Sequence, residues 1–363
     1  MNNEMNFSGG PGALPASVLR QARDAIDALP ETGISVLGMS HRSDWFREIL
    51  DEAERNLREL LRIPENYHVL FIQGGGSLQF SMLPMNFLRG TQRTAEYIVS
   101  GYWSAKTPVE ARLEGNTRVV WDGYADHYRQ LPNADELHLS PDAAYLHYVS
   151  NETVEGIEFS SVPGLRNVPL VCDMSSNLVA APVVIDRYAM IYAHAQKNLG
   201  PAGVTVVVLR DDFAQHALTS LPTMLNYRTH IEARSLYNTP PVFAIYVLML
   251  VTRWLRDEIG GLTKMLAINR AKAELLYEAL DAAPDFYRIH GARSCRSMMN
   301  VAFRLPDSAT EALFLDAAKY DGFHGLKGHH SVGGLRISLY NAVTFEAVAI
   351  LSAWLTEFHR KRG

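Results

Sequence analysis

The sequence of 363 residues predicts an α/β protein, with a large domain built on a mostly parallel sheet and a smaller α+β domain. Up to Leu209, short apolar runs alternate with helical patterns, which is typical of a parallel sheet covered by helices. Beyond Leu209 the pattern changes, and long apolar helical stretches lead into the smaller unit. We therefore expect residues 16–259 to form the large domain, and residues 1–15 with 260–363 to form the small domain.

The composition argues against several classes of function. The net charge of −5 provides no basic field for a nucleic acid, and the longest apolar run, residues 242–251, is shorter than the roughly 20 residues that cross a bilayer. Cys172 and Cys295 offer neither a disulfide framework nor the spacing of a metal site. The N-terminal stretch lacks the basic start and apolar core of a secretory signal. We expect a cytoplasmic enzyme that acts on small molecules.

A helix and a polar loop open the chain. Pro15 suits the first turn of a helix, and a later loop carries His41 and Arg42 between turn signals. These two side chains are either solvated surface or, beside an anionic substrate, part of a binding site. A second helix is expected at residues 49–61. The apolar stripe of the first helix is predicted to consist of Val18, Leu19, Ala22 and Ile26.

A run of three glycines follows the predicted strand at residues 68–72. The stretch Gln73-Gly-Gly-Gly-Ser-Leu-Gln lies between that strand and a helix. Glycines at this position let backbone N–H groups approach an anion, and the helix N-terminus adds its positive end. Three consecutive glycines also cost chain entropy that an ordinary turn would not require. We interpret the stretch as a phosphate cradle, with an ordinary strand-to-helix turn as the alternative.

Aromatic and hydroxyl side chains follow the next strands. Tyr102 and Trp103 come after the predicted strand at residues 95–100, at the end where ligands gather in open α/β sheets. Either ring could stack on a flat heterocycle or pack in the core. Further strands are expected at 117–121 and 144–149. Thr153 follows the second of these, where its hydroxyl could reach a phenolate or phosphate, or cap a turn.

Asp173 and Lys197 are the strongest candidate catalytic residues. Lys197 lies between apolar strands at 190–193 and 204–209, and it is one of only seven lysines. Desolvation near a sheet lowers the pKa of a lysine and makes it nucleophilic toward aldehydes. Asp173 closes the strand at 169–173, where a buried carboxylate needs a donor such as a pyridinium N–H. This order of Asp, strand and Lys is expected of an enzyme that uses pyridoxal 5'-phosphate (PLP).

The last third of the chain adds candidate substrate contacts. Asn238 and Thr239 precede Pro240 and Pro241, which restrict their neighbours to an extended turn. The smaller unit is predicted to contain helices at 262–283 and 309–320 and strands at 297–305 and 335–339. Its glycine-punctuated stretch concentrates cationic side chains that could bind an anion. These side chains are Lys327, His329, His330 and Arg336.

Taken together, these motifs resemble the phosphoserine aminotransferase family of class V aminotransferases. The resemblance spans nearly the whole chain in the same order. It implies the PLP-dependent transferase fold of type I, and a homodimer with active sites at the subunit interface. The motifs that carry it are Phe7-Ser-Gly-Gly-Pro, Ser40-His-Arg42, Gln73-Gly-Gly-Gly-Ser-Leu-Gln, Gly101-Tyr-Trp, Asn151-Glu-Thr, Asp173-Met-Ser-Ser, Ala193-His-Ala-Gln-Lys-Asn-Leu-Gly-Pro-Ala-Gly203, Tyr237-Asn-Thr-Pro-Pro241 and Lys327-Gly-His.

The resemblance also implies roles for individual residues. Lys197 would hold the cofactor aldehyde as a Schiff base and move the proton, Asp173 would pair with the ring nitrogen, and Trp103 would stack on the ring. Thr153 would bond the ring phenolate. The implied contacts of the cofactor phosphate are Gly76, Ser77 and Gln196, with Asn238 and Thr239 of the partner subunit. The implied contacts of the substrate are Arg336 for its carboxylate, and His41, Arg42, His329 and His330 around its phosphate or side-chain carboxylate.

The implied reaction exchanges an amino group between phosphoserine and 2-oxoglutarate. Its biosynthetic direction consumes 3-phosphohydroxypyruvate and glutamate, in serine biosynthesis and in the analogous step of pyridoxine biosynthesis. The chain departs from the family where Lys-Gly-His-Arg is usual, because it has His330 in place of the Arg. An imidazole in place of an Arg fork weakens phosphate recognition near neutral pH.

Three other functions are alternatives to this one. A related class V enzyme could act on a small non-phosphorylated amino acid with glyoxylate or pyruvate. A desulfurase would need a reactive cysteine on a mobile loop, which neither Cys172 nor Cys295 is expected to provide. A non-catalytic PLP-binding protein would have little reason to keep both Asp173 and Lys197.

Overall fold

The computed structural model describes residues 3–164 and 168–363. Residues 1, 2 and 165–167, which belong to the two predicted domains, lie outside the described residues. The strands are β1 (Tyr67–Ile72), β2 (Thr94–Val99), β3 (Asn116–Asp122), β4 (Tyr145–Val149), β5 (Asn151–Glu152), β6 (Ile157–Glu158), β7 (Leu170–Asp173), β8 (Met190–His194), β9 (Thr205–Arg210), β10 (Arg288–Ile289), β11 (Asn300–Arg304) and β12 (Leu335–Ser338). The α-helices are α1 (Ala16–Asp27), α2 (Asp44–Leu61), α3 (Gly75–Phe87), α4 (Thr107–Ala111), α5 (Asp211–Ala214), α6 (Tyr227–Glu232), α7 (Val242–Arg253), α8 (Leu262–Asp281), α9 (Ser308–Tyr320) and α10 (Phe345–Arg362).

The large sheet has the strand order β1-β9-β8-β7-β4-β2-β3. Strand β9 is antiparallel to both of its neighbours, and the other neighbouring pairs are parallel. The prediction of a mostly parallel sheet is therefore confirmed. Because the parallel strands run in one direction, the loops that follow β1, β2, β4, β7 and β8 all leave the same edge of the sheet.

Helices cover both faces of this sheet. Along β8, Ile191 and Ala193 belong to the hydrophobic core on one face, which also includes residues of α1, α2 and α7. Met190 and Tyr192 point into the core on the opposite face, with residues of α3. Successive strand residues thus alternate between two buried layers, which explains why these strands read as continuous apolar runs in the sequence. No helix in the described ranges combines the length and apolarity of a membrane span.

Two predicted helix features are wrong in detail. Helix α2 begins at Asp44 rather than at residue 49, because the Ser43 hydroxyl accepts the backbone N–H of Phe46 and caps the helix. In α1, Leu19 and Ile26 were assigned to the apolar stripe, but they are 36% and 43% exposed. The buried residues of α1 are Val18, Ala22 and Ala25, whose spacing follows one face of the helix.

The C-terminal elements form a second packed unit. Strands β10, β11 and β12 make an antiparallel sheet. Leu276 of α8 and Leu351 of α10 share one hydrophobic core with this sheet. Phe7 and Ala13, from the start of the chain, are buried in the same core. The N-terminal segment therefore packs with the C-terminal unit.

Lys272 was expected only to lie in a helix, and the structure places its side chain in the interior. The residue is 0% exposed, and its Nζ donates hydrogen bonds of 3.0, 3.1 and 2.9 Å to the carbonyl oxygens of Leu339, Tyr340 and Val343. Burial lowers the pKa of Lys272 to about 7, while the three carbonyl dipoles favour the charged form. This ammonium joins α8 to the turn that follows β12.

We expect Lys272→Met to lower the free energy of unfolding by about 3 kcal/mol, because three buried carbonyl oxygens would lose their donors. Urea unfolding, followed by far-UV circular dichroism, measures the change. The matched control is Lys264→Met on the same helix, where the exposed side chain should make a difference within about 0.5 kcal/mol. Equal stability of the Lys272→Met and Lys264→Met proteins would contradict the role of the buried ammonium.

Candidate active site

A cavity of about 420 Å³ opens at the carboxyl ends of the parallel strands. Its size falls within the roughly 300 to 1,000 Å³ of small-molecule sites. The loops after β1, β2, β4, β7 and β8 all contribute to its wall, as the sheet topology requires. Residues that line it include Gly74, Gly75, Gly76, Ser77, Trp103, Asn151, Asp173, Ser175, Ser176, His194, Gln196 and Lys197.

The glycine run shapes one wall of this cavity. Gly74 and Gly75 have φ angles of 98° and 66°, which residues with a side chain rarely adopt, and α3 begins at Gly75. A Cβ atom on Gly76 would lie 3.4 Å from Oδ2 of Asp173 and 3.7 Å from Oγ of Ser175. The N-terminus of α3 therefore faces the cavity beside Asp173. This position is the one required if the glycine stretch is to bind an anion.

Lys197 lies three residues beyond the end of β8 and is 8% exposed. Its Nζ is 5.8 Å from the centroid of the Trp103 ring. Burial lowers the pKa of Lys197 to about 8, with Arg336 adding to the shift and Asp173 opposing it. The buried position and the lowered pKa both match the sequence expectation of a nucleophilic lysine.

The lowered pKa predicts how Lys197 reacts in protein freed of any cofactor. The amine becomes neutral as pH rises through about 8, instead of through the ordinary value of 10.5. The rate of labelling by trinitrobenzenesulfonate should therefore rise between about pH 7 and 9 and then level off. Peptide mapping by mass spectrometry identifies the labelled site, and Lys197→Ala supplies the blank. A labelling rate that still climbs steeply above pH 10 would contradict the assignment.

Asp173 ends β7 as a buried carboxylate. Its Oδ1 accepts the backbone N–H of Ser175 at 2.8 Å, and within the described ranges none of the ion pairs includes it. Burial raises the pKa of Asp173, while Ser175 and Lys197 oppose that shift. A buried carboxylate with one donor is costly unless a bound group supplies another.

His194 adds a second unsatisfied group to the cavity wall. Its Nε2 is buried and has no hydrogen-bond partner in the described ranges, and burial lowers the pKa of the ring to about 3, which favours a neutral imidazole. Together with Asp173, the glycine cradle and Lys197, this wall fits PLP, which carries a ring N–H, a phosphate and an aldehyde. The residues present are thus chemically suited to the cofactor that the sequence predicted.

Thr153 holds the Trp103 ring in place. Its hydroxyl oxygen accepts the indole N–H of Trp103 at 3.0 Å. The hydroxyl proton of Thr153 is still available to a second acceptor, such as a phenolate. The structure therefore brings Trp103 and Thr153 together, and the predicted roles of the two residues are compatible.

Arg336 leaves β12 beside the N-terminal segment. Its Nη1 donates to the carbonyl oxygen of Thr153 at 3.3 Å, and its Nε is buried without a partner. A Cβ atom on Gly9 would lie 2.0 Å from Nη2 of Arg336, so a larger residue there would require the guanidinium to shift. Burial lowers the pKa of Arg336, while Tyr340 and Glu155 oppose that shift. A guanidinium with an unsatisfied N–H is suited to bind a carboxylate.

His329 and Arg336 line a second cavity of about 820 Å³ that also borders Tyr102. The His329 ring centroid lies 4.6 Å from that of Tyr102 and 4.2 Å from that of His330. Burial lowers the pKa of His329, and the nearby His330, Arg336 and Lys106 lower it further. Tyr102 and His329 thus connect the Trp103 side of the site to this second cavity.

Within the described part of the chain, six predicted site residues line neither cavity: His41, Arg42, Thr153, Asn238, Thr239 and His330. The resemblance implies that Asn238 and Thr239 contact the cofactor phosphate of the partner subunit. In their own chain, the Asn238 side chain donates to Gln73 at 3.2 Å, and Gln73 donates to the Thr239 carbonyl at 3.0 Å. The turn places both residues next to the first residue of the glycine stretch, outside the cavity.

Several lining residues had not been assigned a role from the sequence. Ser175, Ser176 and Asn151 belong to motifs quoted above, and His194 lies in the stretch before Lys197. Their position directly after strand ends was a signal that could have identified them.

Comparisons with known proteins agree with this site. The pattern of the aminotransferase class-V family matches residues 5–351. The phosphoserine aminotransferase of Laribacter hongkongensis is 48% identical over 358 residues, which are 99% of each chain. The structure of phosphoserine aminotransferase from Bacillus circulans subsp. alkalophilus is 45% identical and has a TM-score of 0.96 over 99% of each chain. The PLP-bound phosphoserine aminotransferase of Trichomonas vaginalis is 37% identical, with a TM-score of 0.90 over 97% of this chain and 99% of that chain.

Proposed function

The chain belongs to the class V aminotransferase family, and on that premise we propose that it is a phosphoserine aminotransferase that uses PLP. It exchanges an amino group between O-phospho-L-serine and 2-oxoglutarate, with 3-phosphohydroxypyruvate and glutamate as substrates in the biosynthetic direction. The observation that carries the proposal is the meeting of Lys197, Asp173 and Trp103 in one cavity with the glycine cradle. Full-length similarity to enzymes of that name supports the substrate.

In the proposed reaction, bound PLP supplies an electron sink for the substrate carbon that loses its proton. The Lys197 amine would hold the cofactor aldehyde and carry the proton, which its lowered pKa favours. The Asp173 carboxylate would keep the ring nitrogen protonated, and the Trp103 indole would contact the ring. Gly76, Ser77 and Gln196 would bind the phosphate, Thr153 would bond the phenolate, and Arg336 would bind the substrate carboxylate.

We propose a homodimer in which Asn238 and Thr239 of the partner subunit complete each phosphate site. The proposal rests on the family to which the chain belongs, and it is compatible with the position of both residues beside Gln73 and outside the cavity of their own chain. We also propose the division into residues 16–259 and residues 1–15 with 260–363, because Phe7 shares a core with α8 and α10. The cytoplasmic location stays a prediction.

The environments of the two cysteine thiols argue against the function of a desulfurase. Cys172 and Cys295 are buried, and burial raises the pKa of each thiol. A desulfurase needs an accessible thiolate, which a buried cysteine with a raised pKa does not provide.

The test of the substrate compares kcat/KM for phosphoserine, serine and alanine. Two charge-assisted hydrogen bonds to the phosphate should favour phosphoserine over serine by at least about 100-fold. Equal turnover of serine and phosphoserine would overturn the phosphate assignment, and would favour a class V enzyme for small non-phosphorylated amino acids.

His330→Arg is the matched variant for the phosphate contacts. A guanidinium presents a rigid fork of N–H donors that matches a phosphate, whereas an imidazole does not. We expect the variant to have a lower KM for phosphoserine, with a smaller effect on 2-oxoglutarate. Identical KM values for phosphoserine in the two proteins would remove the role of His330 and leave the reaction assignment intact.

A further inference from the structure

The turn that carries Trp103 is held by two glutamates. Three consecutive backbone N–H groups donate to their carboxylates: Tyr102 to Glu155 at 2.9 Å, and Trp103 and Ser104 to Glu152 at 3.1 and 2.9 Å. The same hairpin, between β5 and β6, provides the Thr153 hydroxyl that accepts the Trp103 indole N–H. The backbone and the ring of Trp103 are therefore both anchored to one short stretch of chain.

The two carboxyl groups are buried side by side. Glu152 is 1% exposed and Glu155 is 4% exposed. A Cβ atom on Gly101 would lie 2.6 Å from Cδ of Glu152 and 2.6 Å from Oε2 of Glu155, so both carboxyl groups contact the same glycine. The Oε2 atom of Glu155 is buried and has no hydrogen-bond partner among the described residues. This arrangement brings two acids together where water cannot screen them.

Two adjacent buried carboxylates cannot both be ionised at low cost, so such a pair retains a proton. Burial raises the pKa of Glu152 to about 7, with the hydrogen bonds from Ser104 and Trp103 opposing the shift. Burial, and then the charge of Glu152, raise the pKa of Glu155 to about 8. The other ionisable groups that face the pair are Asp173, Lys197, Tyr128 and Arg336.

We propose that Glu152 and Glu155 are positioning residues, a pair that shares one proton and so holds the Trp103 ring against the bound cofactor. The role given to the ring rests on the proposed function. When the shared proton is lost to solvent, the two negative charges repel each other and the backbone turn at residues 101–104 loosens. Neither glutamate touches the substrate in this assignment, so each acts through Trp103.

The experiment compares the wild-type holoenzyme with Glu155→Gln between pH 6.5 and 9.5. The amide is a neutral group of the same shape, so it removes the second charge and keeps an acceptor for the Tyr102 N–H. The matched control is Glu158→Gln in the same hairpin, whose carboxylate accepts from Asn177 and Met298 rather than from the Trp103 turn. The readouts are the Kd for PLP, the circular dichroism of the cofactor band, and amide exchange of a peptide covering residues 101–106.

In the wild type and in Glu158→Gln, the Kd for PLP should rise about tenfold for each pH unit above pH 8, because binding would then require the glutamate pair to regain one proton. The amides at 102–104 should lose protection over the same range, beyond the intrinsic pH dependence of exchange. In Glu155→Gln both changes should disappear. Lys197 titrates in the same range, so the difference between the variants, rather than the wild-type profile alone, is decisive.

Equal pH profiles in the wild type and Glu155→Gln would overturn the proposal. Should Glu155→Gln fail to fold, Glu152→Gln also removes the repulsion; because it loses one acceptor for the Trp103 and Ser104 N–H groups, its protection should be lower at every pH but should no longer change with pH. A protein that takes up no PLP at any pH would contradict the proposed function instead. A PLP-binding enzyme whose 102–104 amides respond identically in all variants would contradict the role of the glutamate pair alone.

Discussion

Lys197→Ala is expected to lower kcat for transamination by on the order of 10⁴-fold, because one substitution removes both the nucleophilic amine and the proton carrier. The wild-type protein should be yellow, and borohydride reduction should lock the cofactor onto the peptide that contains Lys197. The variant should bind PLP without that covalent bond. Steady-state kinetics and mass spectrometry of the reduced protein measure both effects.

The matched control for this substitution is Lys264→Ala, an exposed lysine on α8 that should leave kcat unchanged. A wild-type protein that stays colourless when PLP is supplied would refute the role of Lys197. Cofactor locked onto a different lysine would refute it as well. Partial recovery of kcat with added methylamine would show that the variant retains its fold.

Asp173→Asn is expected to lower kcat by about 10² to 10⁴-fold, because loss of one partner of a buried charge pair costs about 3 to 5 kcal/mol. The asparagine would no longer keep the pyridine nitrogen protonated. Stability should change in the opposite direction: without cofactor, the variant should be at least as stable as the wild type, since it no longer buries a carboxylate that lacks an ion-pair partner.

Kinetics of the holoenzyme and thermal unfolding of the cofactor-free protein provide the two measurements for Asp173. Asp186→Asn, at an exposed position, is the control and should change neither quantity. Unchanged kcat in Asp173→Asn, or a marked fall in the stability of its cofactor-free form, would show that the carboxylate serves the fold rather than the cofactor.

The central part of the site could be predicted from the chain alone. Asp173 and Lys197 each follow an apolar strand, and the parallel strands bring both to one edge of the sheet. The glycine run lies at the same edge for the same reason. To predict that residues at these strand ends line one cavity, it was therefore enough to know the order of the elements and the parallel direction of the strands.

The sequence patterns did not reveal which charged side chains are buried in the interior. Lys272 reads as an ordinary helical lysine, and Glu152 and Glu155 read as polar turn residues. Their burial depends on neighbours far away in the sequence, such as the carbonyl oxygens after β12 for Lys272. Residue patterns within a window of the chain do not contain these neighbours, so the environment of the side chains could not be inferred.

What the sequence by itself determined was the α/β class, the mostly parallel sheet and the candidate residues at strand ends, because side-chain periodicity and turn chemistry are local properties. Only the tertiary structure decided which candidates share a cavity: it brings Gly9 against Arg336, and Gly101 against Glu152 and Glu155, while leaving His41 and Arg42 outside. It also created the environments that shift the pKa values of Lys197, Glu152 and Glu155, since desolvation and like-charge repulsion arise from contacts between distant parts of the chain.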